Sequence, residues 1–146
     1  MRKRILLAAV MAAAVLVLGL AGCSSQSEPS KEDQESIQGL PAWADEGAIT
    51  EQARSAIDLF TAGDYEGLVA LFGDPKPDVS AFKKAAETID GVGDFGLYGE
   101  VSYGHFETES DGTAAIVTQL AQCRNGQLIY SVGLAENGKL VGFHVK

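Results

Sequence analysis

Cysteine is scarce in this 146-residue chain: Cys23 and Cys123 are the only two, so no disulfide framework stands behind the fold. Basic residues are outnumbered, 11 against 20 acidic, for a formal net charge of −9. Affinity for phosphate backbones comes from Lys and Arg contacts, so nucleic acid is disfavoured as a partner. There is no C-x-x-C, no H-E-x-x-H and no EF-hand loop, and the two histidines, His105 and His144, stand far apart; no metal site or cofactor motif is legible. No serine sits in G-x-S-x-G and no base neighbours Cys123, so the sequence assembles no catalytic triad. Glu107, Glu109 and Asp111 alternate along one segment, but they lack the ordered oxygen spacing of a calcium loop and read as a solvated strand face. Long apolar runs are also missing, apart from Ile5 to Leu20. That run is slightly short of the ~20 residues that cross a bilayer comfortably.

The apolar run follows Arg2-Lys3-Arg4 and ends in Leu20-Ala21-Gly22-Cys23. A basic start, an apolar middle and small residues before a cut site form the standard export pattern. The last four residues resemble the lipobox of a bacterial lipoprotein signal peptide. The resemblance implies a diacylglyceryl thioether on Cys23, cleavage between Gly22 and Cys23, and an acylated new N-terminus. With two or three chains attached, such an anchor holds stably, because each buried CH₂ contributes ~0.8 kcal/mol. An uncleaved N-terminal helix is the alternative, and both readings place the rest of the chain outside the cytoplasm. Loss of residues 1–22 removes three basic residues and leaves eight against twenty acidic, net −12. Such a charge keeps a surface protein soluble and lets it repel an anionic bilayer. With Cys23 lipidated, Cys123 is left without an internal partner. It reads as a small buried hydrophobe, with an intermolecular disulfide as the alternative.

Residues 24–36 contain no large apolar side chain and are rich in Ser, Gln, Glu and Asp. They read with Cys23 as a disordered tether, whose flexible span is ~20 Å. Residues 37–146 then suffice for one domain. Its first half has helical periodicity. Ile49, Ala53, Ala56, Ile57 and Phe60 form one stripe of a helix from about Asp45 to Ala62, which Gly63 ends. Asp64 N-caps a short second helix, and Asp78 caps a third that runs to Gly91. Trp43, just ahead of the first helix, staples that end to the core. From Gly93 the texture turns to Gly, β-branched and aromatic residues. Asp111-Gly112, Asn125-Gly126 and Asn137-Gly138 punctuate it as type I′ hairpin turns. Three turns join four antiparallel strands, near Phe95–Glu109, Thr113–Arg124, Gln127–Ala135 and Lys139–Val145, in a meander. Helices followed by strands in one domain predict an α+β fold with the helices on one sheet face.

The sequence Ala62-Gly63-Asp64-Tyr65-Glu66-Gly67-Leu68, the third helix, Gly91-Val92-Gly93-Asp94-Phe95 and the closing Asn137-Gly138-Lys139-Leu140-Val141-Gly142-Phe143 resemble secreted bacterial NTF2-like (cystatin-like) domains of unknown function. The resemblance covers about Ile49 to Lys146. It implies a bent sheet wrapping the helices into a cone, whose mouth holds a ligand or meets a second copy. Gly93, Gly96, Gly99 and Gly104 in the first strand suit such a bend. Val101, Tyr103 and His105 share one face of that strand by period two, which makes Tyr103 and His105 the candidate ligand-binding residues. The expected function is a lipid-anchored envelope domain that binds a small ligand or a protein partner, with no catalytic residue assigned. Two rivals stay open. An isomerase- or dehydratase-type enzyme requires Tyr103 and His105 to point inward with an acid in reach. A structural module that homodimerises through its sheet requires a large exposed apolar patch instead.

Overall fold

In the computed structural model, the helix stripe read from the sequence becomes the centre of the core. The structure describes residues 36–109 and 112–146. The signal segment, Gly22, Cys23, the tether up to residue 35 and Asp111 lie outside the described residues. Helix α1 (Glu46–Thr61) buries Ile49, Ala53, Ala56, Ile57 and Phe60, each at most 3% exposed. Asp45 caps its start by accepting from the Ala48 backbone N–H, 2.9 Å away. At its end Gly63 takes φ +77°, which lets its N–H reach the Phe60 carbonyl and the Asp64 N–H reach that of Leu59. This is a Schellman closure, and it needs the left-handed residue that glycine supplies without strain. The Asp64 carboxylate then accepts from Gly67 N–H and opens α2 (Tyr65–Ala70). Asp78 does the same for α3 (Val79–Ile89), which ends ahead of Gly91, the expected terminator, in one 3₁₀ turn (Asp90–Val92).

The sheet has five strands, one more than the sequence suggested. The expected four are β2 (Phe95–Thr108), β3 (Gly112–Cys123), β4 (Gly126–Leu134) and β5 (Leu140–Val145). The fifth, β1 (Ile37–Gln38), lies just after the expected tether and pairs antiparallel with Gly104 and His105 of β2. Two residues carry no period-two signal, so only their pairing shows them as strand. The spatial order is β1-β2-β3-β4-β5, all antiparallel. Helix α1 lies across β3 and β4, against Ala115, Val117 and Ala121 of one and Leu128, Tyr130 and Val132 of the other. The described residues thus form one α+β unit with an open sheet.

Two turns differ from expectation. Cys123 pairs with Gly126, so the β3–β4 loop is Arg124-Asn125, one residue earlier than Asn125-Gly126, and Gly126 already belongs to the ladder without a positive φ. Between β4 and β5, Gly138 N–H bonds to the Ala135 carbonyl, which leaves Glu136 and Asn137 central, and Gly138 follows at φ +77°. That is a three-residue loop with a left-handed glycine at its exit, in place of a type I′ turn. Of the four glycines expected to bend β2, Gly96 and Gly99 mark irregularities, whereas Gly104 pairs regularly with Ile116 and Gly93 lies before the strand. Its register shifts between Phe95 and Leu97 and again between Tyr98 and Val101, at Gly96 and at Gly99-Glu100.

Candidate functional site

Where the C-terminal end of α1 meets α2, α3 and the ends of β2, β3 and β4, the elements enclose a cavity of about 480 Å³. Phe60, Tyr65, Phe95, Leu128, Tyr130 and Cys123 supply its apolar lining, and Asp90 and Asp94 stand among its polar members. The rings hold one another in edge and tilted contacts: Phe60 to Tyr65 at 5.7 Å, Phe60 to Tyr130 at 6.1 Å and Phe95 to Tyr98 at 4.9 Å between centroids. Such pairs add ~1 kcal/mol each beyond simple burial, so these walls are firm. At the rim, Arg124 and Asp94 form an ion pair at 2.5 Å, and the Arg124 N–H donates to the Asp94 carbonyl. Both side chains are mostly exposed, so the pair contributes little to stability.

Tyr130 is the chemically distinctive residue of this cavity. It is 1% exposed, yet its hydroxyl makes no hydrogen bond with any described residue. Burial, and behind it the nearby Cys123 thiol, pushes its phenol up to about 12. Burial also raises the Cys123 thiol, which keeps it protonated and a poor nucleophile near neutral pH. The cavity therefore offers aromatic faces, the hydroxyls of Thr61, Tyr65 and Tyr130, one thiol, and the carboxylates of Asp90 and Asp94.

A second hollow lies on the other flank of α1, between that helix and β2. The bulge at Gly99-Glu100 leaves carbonyls without ladder partners. Gln119, fully buried on β3, reaches across and donates its amide to the carbonyls of Gly99 (3.0 Å), Glu100 (3.1 Å) and its neighbour Leu120 (2.9 Å). Its Oε1 accepts from Arg54 Nε at 3.0 Å. The Arg54 guanidinium lies 4.8 Å over the Tyr98 ring, and the Tyr98 hydroxyl donates to Asp58 at 2.6 Å. Burial, then that hydrogen bond to Asp58, holds the Tyr98 phenol well above its ordinary value of 10.

The structure separates the two residues that the sequence paired. Tyr103 lines this second hollow, with its hydroxyl 2.8 Å from that of Thr50. His105 turns its Nδ1 to the Gly39 carbonyl at 2.7 Å, beside β1. Neither meets an acid among the described residues; the tyrosine that does is Tyr98. Trp43 donates its indole N–H to the Thr113 carbonyl at 3.1 Å and so fastens the approach to α1, as expected. Glu107 accepts from the Thr113 hydroxyl, and among the described residues no three His, Cys, Asp or Glu side chains gather as a metal site. Sequence reasoning singled out Tyr98 along with Tyr103 and His105, but missed Gln119 and Tyr130. A polar Gln119 in the buried alternation Ala115-Val117-Gln119-Ala121 was the available signal for one of them.

Comparison with family models finds no match, and none is found among curated proteins. Among solved structures, the chain is similar to an NMR structure of a protein from Ruminococcus gnavus ATCC 29149, with a TM-score of 0.68 and 20% identity over 75% of this chain and 98% of that one. At that identity the likeness bears on the fold alone.

Proposed function

We propose that this protein is an NTF2-like binding module, tethered outside the cytoplasm by lipid on Cys23, that holds a small, mainly apolar molecule in the cavity beside Tyr130. The observation that carries the reading is the Tyr130 hydroxyl, which stands at an aromatic cavity with no hydrogen-bond partner among the described residues and is reached by solvent there. The hydroxyl makes no bond within the fold, so it is free to meet a ligand that has an apolar body and one carbonyl or ether oxygen. The cavity volume of about 480 Å³ lies in the ordinary range for small-molecule sites.

The test is native mass spectrometry on the Cys23→Ser protein, exported from a related bacterium and purified gently. The expected result is an added mass of a few hundred daltons that Tyr130→Phe weakens; a bare protein in repeated preparations would sink the ligand reading. The same variant tests the anchor. Cys23→Ser is expected in the soluble fraction after lysis, whereas full retention on membranes would refute lipid attachment as the tether.

A second reading, a partner docked on the helix-free sheet face, has one observation in its favour. Leu97, opposite Gln122 on that face, is 59% exposed. If a second copy covers it, the purified protein runs as a dimer and Leu97→Glu makes it a monomer.

A further inference from the structure

We propose that the hollow between α1 and β2 is a second and separate binding site, built for a compact zwitterion on an apolar body, the chemistry of a free α-amino acid. Arg54 carries the argument. Glu51 stands three residues before it and Asp58 four after it, the spacings at which helical ion pairs ordinarily form. Arg54 forms neither pair. Its Nε is drawn inward to Gln119, its Cζ sits 4.8 Å from the centre of the Tyr98 ring, and Asp58 is taken by the Tyr98 hydroxyl. The two Nη nitrogens, which recognise a carboxylate as a fork, donate to no described residue. The guanidinium is thus held in place from behind and left open in front.

Charge then selects the occupant. The hollow has a volume of about 740 Å³, and one guanidinium shares it with the carboxylates of Glu46, Glu51 and Asp58. A plain anion reaching Arg54 is opposed by three negative groups, and a plain amine, though drawn to those groups, leaves the Arg54 fork unfilled. A molecule with both charges close together meets both demands, its carboxylate on Arg54 and its ammonium toward Glu51, one helical turn away. Val101 and the rings of Tyr98 and Tyr103 line the same hollow and give an aliphatic or aromatic side chain an apolar surface. The Tyr103 and Thr50 hydroxyls already pair with each other, so they make no competing demand.

Isothermal titration of the full lipoprotein in detergent micelles tests this, with L-leucine and L-phenylalanine as probes. Saturable binding of either is expected. N-acetyl-leucine and leucine amide, each missing one charge, should bind at least about tenfold more weakly. Glu51→Gln should weaken L-leucine to the same degree while leaving the thermal midpoint unchanged, because the exposed Glu51 side chain makes no hydrogen bond or ion pair in the fold. Arg54→Lys keeps the charge but loses the fork, and should weaken it as well. Absence of binding by both amino acids, equal binding of the blocked forms, or equal affinity in Glu51→Gln would each overturn the proposal. Tyr130→Phe should not alter this binding, so failure here leaves the cavity reading intact, and the reverse also holds.

Discussion

Gln119 and Tyr130 face each other across β3 and β4 on the helix side of the sheet, and as whole residues both are buried, at 0% and 1% exposure. Their polar atoms fare in opposite ways. The Gln119 amide donates to three carbonyls and accepts from Arg54, whereas the Tyr130 hydroxyl has no partner among the described residues. Two buried polar groups of equal depth therefore serve different ends. The first holds the bulge of β2 together and fixes Arg54; the second is left open to the cavity. Depth alone does not separate structural from functional polarity, and the partner list does.

The sharpest way to break this contrast is Gln119→Leu. It strands the carbonyls of Gly99 and Glu100 in an apolar setting, and the expected loss is about 3 kcal/mol in urea unfolding. A loss below about 1 kcal/mol would mean that the bulge does not depend on the amide. Tyr130→Phe should do the reverse: stability within about 0.5 kcal/mol of the parent, and ligand affinity down about tenfold. Next in size is an alkaline effect. Tyr98 and Tyr130 both have phenol pKa values raised above 10 by burial. Their contribution to stability is fully present below pH 10 and is lost as pH rises through the raised values. Ultraviolet titration should show two late phenols, and Tyr130→Phe should remove the step at about 12. The smallest effect is at the α3 cap. The Asp78 carboxyl lies below its ordinary 3.8, first through the Ser80 backbone N–H and then through the Ser80 side chain. Its contribution is full above pH 3.8 and fades as pH falls through the lowered value. The thermal midpoint gap between the parent and Asp78→Ala should therefore close on acidification.

The legible parts of the fold were those set by local rules. The α1 stripe, the Gly63 stop, the caps at Asp64 and Asp78, and the order of the long strands all depend on neighbours within a few residues. The β1 pairing, the shift of the β3–β4 turn to Arg124-Asn125 and the exit geometry at Gly138 depend on register, which the whole sheet decides. Tyr103 and His105 do share a strand face, as period two requires. Their separation comes from β1, which brings Gly39 to His105, while α1 brings Thr50 to Tyr103. The cavity was illegible because Phe60, Tyr65, Phe95, Cys123 and Tyr130 converge from five elements, and no spacing in the chain records that meeting.

β1 has a mechanical consequence. Any pull on the chain upstream of Ser36 enters the domain through Ile37 and Gln38, which are held to β2 by a two-residue ladder, by the Gly39 N–H on Tyr103 and by the His105 contact with the Gly39 carbonyl. Loaded from one end, that short ribbon peels a bond at a time. The next stop is the Trp43 indole on Thr113, reached before any turn of α1 is stressed. Under such a pull β1 would be the first element to part, ahead of the core and both hollows.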